Sequence, residues 1–120
     1  MSRILVGDDN EQMRRLIVEL LLSDSHEVSE ASDTDGVLEQ VSRTRPDLLI
    51  LDVQMPGGGG IVALREIRSD PVNEGLPVLL LSGSVDLDVN LATNVEADAQ
   101  LPKPFRIEEF REAVSSLLAR

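Results

Sequence analysis

Leu48-Leu49-Ile50-Leu51-Asp52-Val53-Gln54-Met55-Pro56, followed by Gly57 to Gly60, is the stretch on which the fold turns. Four apolar residues in a row without alternation describe a strand covered on both faces, and such strands belong to parallel sheets flanked by helices. The run stops at an acid, and Met-Pro with four glycines then turns the chain. Ile4 to Val6 and Val78 to Leu81 have the same unbroken character, whereas Glu27 to Ala31 and Ala99 to Leu101 mix polar and apolar positions as sheet edges do. Three strands are therefore expected in the middle of the sheet and two at its edges.

Helical periodicity occupies the intervals. Met13, Leu16, Ile17, Leu20 and Leu21 recur at i, i+3, i+4, i+7 and i+8, which predicts a helix over about residues 10 to 23. Val37, Leu38 and Val41 follow the capping-type run Ser32 to Asp35 in a second helix. Ile61, Leu64 and Ile67 mark a third, Leu87, Leu91 and Val95 a fourth, and Ile107, Phe110, Val114, Leu117 and Leu118 a fifth. The expected fold class is α/β: a flavodoxin-like, doubly wound, five-stranded parallel sheet with five helices on both faces. Right-handed crossovers favour the strand order 2-1-3-4-5, which puts the two edge-like strands at the edges. Residues 1–120 read as one domain, with no internal repeat and no linker.

Charge and composition narrow the function. With 22 acidic and 11 basic residues the net charge is −11, which repels phosphate backbones and anionic lipid, so no direct nucleic-acid or membrane binding is expected. The apolar runs fall far short of the ~18 residues a membrane span requires. There is no cysteine, hence no disulfide framework, and Met1 to Asp8 leads straight into a strand without an export signal. A cytoplasmic location is the expectation. Lys103 is the only lysine, so whatever a compact ammonium does here is done at one position.

Ligands of open parallel sheets bind beyond the carboxyl ends of the strands. Those ends carry Asp8-Asp9, Asp52, Ser82 and, from the short fifth strand, Lys103. Two carboxylates ~5 Å apart repel by about 3 kcal/mol at an effective dielectric of ~20. Either one carboxylate keeps its proton or a divalent cation sits among them, and hard oxygen ligands with room for water suit Mg²⁺. The glycine run is not a phosphate-binding loop, since neither G-x-G-x-x-G nor a following Gly-Lys-Ser/Thr is present, and it reads as a mobile turn into the third helix. His26, the only histidine, reads as a rim residue at the start of an edge strand.

Taken together, Asp8-Asp9, LILDVQMPGGGG around Asp52, Ser82-Gly83 and Lys103-Pro104-Phe105 closely resemble the receiver domain of two-component response regulators. The stretch DDNEQMRRL is further similar to the single-domain chemotaxis regulator in the spacing of Asp-Asp to Met-Arg-Arg. The resemblance implies phosphorelay signal transduction, with Asp52 as phosphoacceptor for a phosphohistidine on a sensor histidine kinase or phosphotransfer protein. It implies Mg²⁺ held directly by Asp9, mostly through water by Asp8, and by Asp52 and the backbone carbonyl of Gln54. Ser82, Gly83 and Lys103 would receive the phosphoryl group and draw in the loop after strand four, and the Lys103-Pro104 bond would be cis. The domain would not be an enzyme beyond self-catalysed phosphotransfer and slow autodephosphorylation, and its partner would be a downstream protein effector or a fused output domain.

One position departs from the pattern. Where the family places Tyr or Phe three residues before the lysine, this chain has Gln100, so the usual report of phosphorylation on the surface around helix four, strand five and helix five is in question. Two other readings compete. A phosphatase of the haloacid dehalogenase kind would need a second Asp where Gln54 stands, and 120 residues leave no room for its cap. A degenerate receiver that takes no phosphate would act as a protein-binding module, and Mg²⁺-dependent labelling by a small phosphodonor separates it from the main reading. No output domain follows Arg120, so a stand-alone relay protein and a piece of a longer regulator are both open.

Overall fold

A computed structural model of the chain describes residues 2–83 and 97–119. Its five strands are β1 (Arg3–Gly7), β2 (Glu27–Ala31), β3 (Leu48–Asp52), β4 (Val78–Gly83) and β5 (Ala99–Lys103). All neighbours pair parallel, in the order β2-β1-β3-β4-β5, so the expected order and the division into central and edge strands both hold. The helices are α1 (Glu11–Ser23), α2 (Thr34–Thr44), α3 (Gly59–Ser69) and α4 (Ile107–Leu118), with a 3-10 turn at Pro71–Asn73. The helix expected around Leu87, Leu91 and Val95 lies outside the described residues, so the helix expected fifth in the chain is α4 here. No helix among the described residues is long and apolar enough to cross a membrane.

The pleat explains why the central strands are apolar throughout. Side chains alternate between faces, and among the described residues each face meets helices of its own. Ile4, Val6, Leu48, Ile50, Leu79 and Leu81 pack with Ile17 and Leu21 of α1 and with Phe110, Val114 and Leu117 of α4. Leu5, Leu49, Leu51, Val78 and Leu80 pack on the other side with Val37 and Val41 of α2 and Ala63, Leu64 and Ile67 of α3. A fully buried Leu, Ile or Val contributes about 1.5–3 kcal/mol. In Ile4 to Val6, Leu48 to Leu51 and Val78 to Leu81 no polar residue interrupts either face until the strands reach their carboxyl ends. There Asp8, Asp52 and Ser82 appear, buried but polar.

Short capping contacts fix where the helices begin. The Asn10 side chain accepts from Met13 N at 2.9 Å, which starts α1, and Asp33 accepts from Gly36 N at 2.7 Å, which starts α2. At α4 the Arg106 N–H donates to Glu109 Oε1 at 3.1 Å. His26 is half-buried, as a rim residue of an edge strand is, and its Nδ1 has no hydrogen-bond partner among the described residues.

Candidate functional site

β1 delivers Asp8 and Asp9 directly beyond its last residue. Gly7 sits where the chain presses on the neighbouring helix, since a Cβ there would lie 2.7 Å from Val37 Cγ2. The start of α1 then holds Asp8 in place: Asn10 N donates to Asp8 Oδ1 at 2.9 Å, and Arg14, one turn into the helix, donates from Nη1 to the Asp8 carbonyl at 2.8 Å. Arg14 also pairs with Glu30 on β2 at 3.0 Å, so β2, α1 and Asp8 are tied together. This fastening by Arg14 was not read from the sequence, where Met-Arg-Arg carried only a resemblance of spacing.

β3 ends on Asp52, and β5 ends on Lys103. The three carboxylates of Asp8, Asp9 and Asp52 each present an oxygen within 4.8 Å of the other two, with Asp8 and Asp52 buried and Asp9 exposed. Lys103 Nζ lies 3.1 Å from Asp8 Oδ2 and 3.3 Å from Asp52 Oδ2, so one ammonium is shared by the two buried acids. The Lys103-Pro104 bond is cis, as the resemblance implied. Beyond it, Phe105 stacks on Phe110 of α4 with ring centroids 5.3 Å apart, which anchors the segment that follows the lysine.

The electrostatics follow from this geometry. Asp52 is 5% exposed, and its pKa is pushed up from 3.8 to about 6, first by burial and second by the Asp8 charge. Lys103 and a hydrogen bond from the Gln54 backbone pull it back down. The expectation that one carboxylate keeps its proton or shares a cation therefore has a physical basis in Asp52. Repulsion, the cause named from the sequence, ranks behind desolvation.

The loop after β3 is held more firmly than its glycines suggest. Gly57, Gly58 and Gly59 all take positive φ, at 93°, 114° and 88°, a conformation that side-chain-bearing residues avoid. A Cβ on Gly60 would collide with the Asp52 carbonyl oxygen. Gly60 N donates to the Val53 carbonyl at 2.8 Å, Thr34 N to the Pro56 carbonyl at 3.0 Å, and Thr34 Oγ1 to the Gly59 carbonyl at 3.2 Å. The reading as a mobile turn missed this set of ties. Thr34, buried at the start of α2, carries two of them, and its only trace in the sequence is a place inside the capping run Ser32 to Asp35.

Ser82 is 1% exposed in β4 and accepts a hydrogen bond at 3.3 Å from Gln100 Nε2 on β5. Gly83 follows it as the last residue of that strand, paired with Lys103 in the register. The sheet therefore brings Asp8, Asp9, Asp52 and Lys103 into contact at one edge, with Ser82 and Gly83 on the intervening strand. The donor set at the acid cluster is entirely oxygen, its exposed member leaves room for water, and one lysine covers only part of its charge. Those properties fit a hard divalent cation such as Mg²⁺.

Comparison with known proteins points the same way. The family model described as the response regulator receiver domain matches residues 4–115. The response regulator MprA of Mycobacterium leprae (strain TN) is 37% identical over 119 residues, which are 98% of this chain and 51% of that protein. The chain thus spans about half the length of the curated relatives it matches. Among solved structures, a response regulator receiver domain protein from Clostridium thermocellum superposes with a TM-score of 0.91 at 31% identity, covering 100% of this chain and 96% of that one. The receiver domain of a signal transduction histidine kinase from Syntrophus aciditrophicus superposes with a TM-score of 0.93 at 27% identity, covering 99% and 91%.

Proposed function

The chain belongs to the response regulator receiver domain family, and from that premise we propose that it accepts a phosphoryl group on Asp52 from a phosphohistidine. The observation that carries the proposal is the sharing of Lys103 between Asp52 and Asp8 beside a third carboxylate at the carboxyl ends of the strands. An Asp52 oxygen attacks phosphorus, the phosphorus–nitrogen bond breaks with its electron pair going to that ring nitrogen, and the donor, protonated on its other ring nitrogen, leaves as neutral imidazole. The product is an acyl phosphate. Phosphoryl transfer of this kind requires positioning and charge neutralisation more than acid–base work.

Each residue has a part in that chemistry. Asp9, Asp8, Asp52 and the Gln54 carbonyl would hold Mg²⁺, which when bound supplies positive charge against the phosphoryl oxygens and quenches the repulsion among the acids. Lys103, 3.3 Å from Asp52 Oδ2, would pair with a phosphoryl oxygen. Ser82 offers a hydroxyl to another, and Gly83 leaves its backbone open to close approach. Asn10 holds the Asp8 carboxylate and Arg14 the Asp8 backbone carbonyl.

The domain on this reading is a phosphoacceptor whose chemistry ends with slow autodephosphorylation, not an enzyme turning over a substrate. Its donor would be a sensor histidine kinase or phosphotransfer protein in the cytoplasm. Its output would pass to a protein effector or to a domain fused to this one, residues 1–120 forming a single receiver unit. Incubation with acetyl phosphate and Mg²⁺ tests the proposal by mass spectrometry. One phosphoryl adduct is expected on the wild type and none on Asp52→Asn. Full labelling of Asp52→Asn would reassign the acceptor, and no labelling of the wild type would leave a protein-binding module.

A further inference from the structure

Gln100 stands where the resemblance to receiver domains implies an aromatic ring, and its amide is engaged within the sheet. In the parallel register Gln100 pairs with Leu80 and Pro102 with Ser82, so Leu80, Ser82 and Gln100 share one face of the sheet. The amide spans the diagonal to Ser82, donating from Nε2 to Oγ at 3.3 Å. Pro102, which pairs with Ser82 directly, has no N–H to offer.

A serine hydroxyl has one proton to donate and two lone pairs to accept with. When Gln100 fills a lone pair, the proton stays free for another acceptor, and a hydroxyl that accepts a hydrogen bond donates a stronger one. We infer that Gln100 is a positioning residue for Ser82: its amide N–H orients the hydroxyl so that the Ser82 proton is directed to a phosphoryl oxygen on Asp52. The inference rests on the phosphoacceptor reading and adds to it a polar device at a position where the family uses a ring. A ring there would couple the site to the surface through its bulk, whereas the amide acts through the direction of one proton.

Polarity of the side chain at this position is therefore the variable to test. A carboxylate is acceptor-only, so Gln100→Glu would take the Ser82 proton for itself, while Gln100→Leu leaves the hydroxyl free to turn. Binding of beryllofluoride with Mg²⁺, followed by fluorine NMR, reads the affinity of the site for a phosphoryl mimic. Gln100→Glu should weaken it by roughly three- to tenfold, the size of one neutral hydrogen bond, and Gln100→Leu by less than about twofold. The Glu penalty should shrink from mildly alkaline to mildly acidic pH, as a protonated carboxyl regains a donor. In a Ser82→Ala background it should vanish. A penalty undiminished in that background would overturn the positioning role, as would equal penalties from Glu and Leu. A wild type that binds no beryllofluoride would overturn the phosphoacceptor reading and this inference with it.

Discussion

Lys103 faces two carboxylates that are withdrawn from water, with Asp8 fully buried and Asp52 nearly so. Lys103→Met keeps the apolar stem and removes the ammonium, leaving like charges opposed in a poor solvent. Breaking a buried pair from one side costs 3–5 kcal/mol, and partial exposure of the ammonium at 19% lowers the expectation to about 1–3 kcal/mol at pH 7. The loss should shrink at pH 5, where Asp52 can take a proton, and urea unfolding at the two pH values checks it. Asp52 makes a second prediction. Its folded-state pKa of about 6 stands above its ordinary 3.8, so the folded protein holds that proton to higher pH than the unfolded chain does. The associated stability is fully present below 3.8 and is lost as pH rises through about 6. In EDTA, the urea midpoint of the wild type should therefore fall between those pH values by more than that of Asp52→Asn, which has no such proton. Equal falls would remove Asp52 as the cause.

At the scale of elements, strands were far easier to read than the loops between them. Leu48 to Leu51 had to be a central strand because helices cover both of its faces, and that constraint is written into consecutive residues. The loop from Val53 to Gly60 is set differently. Its ties run to Thr34, 25 residues from Gly59 in the chain, and no local pattern announces a partner that distant. Four glycines read as freedom, whereas the structure uses three for positive φ and the fourth for a close approach to the Asp52 carbonyl. Gly60→Ala should accordingly cost about 1–3 kcal/mol or more, in the range of an overpacked interior, and lower acetyl phosphate labelling by displacing the backbone of Asp52. Thr34→Val, which removes the hydroxyl bond to Gly59 but keeps the shape, should cost about 1 kcal/mol and leave labelling nearly intact. Thermal melts beside the labelling assay separate the two effects.

Across the whole molecule, the meeting of the acids with Lys103 was legible because strand order and strand ends together decide what meets. Asp8 and Lys103 lie 95 residues apart in the chain yet 3.1 Å apart in space, and the alternation of strand and helix with order 2-1-3-4-5 suffices to bring them to one edge. Contacts set by side-chain torsions were not legible: Arg14 on the Asp8 carbonyl and Gln100 on Ser82 depend on where long side chains settle, which no periodicity encodes. The same long-range assembly would tie metal binding to global stability. The carboxylates that would hold Mg²⁺ come from β3 and the segment just after β1, which unfolding separates, so the ion would bind the folded state alone. At ~100 times its dissociation constant it should add about 2.7 kcal/mol, or roughly 10 °C in Tm for a domain of this size. A chain of net charge −11 also gains from simple screening, so the comparison must be made against NaCl at equal ionic strength. Mg²⁺ should exceed NaCl at pH 7 and lose most of its advantage at pH 5, where protons compete for Asp52. In Asp9→Asn, which gives up a carboxylate without disturbing the Lys103 contacts, the Mg²⁺ excess should largely disappear. Equal rises with the two salts in the wild type at pH 7 would show the acid cluster to be a buried charge problem solved by Lys103 and protonation, with no resident cation.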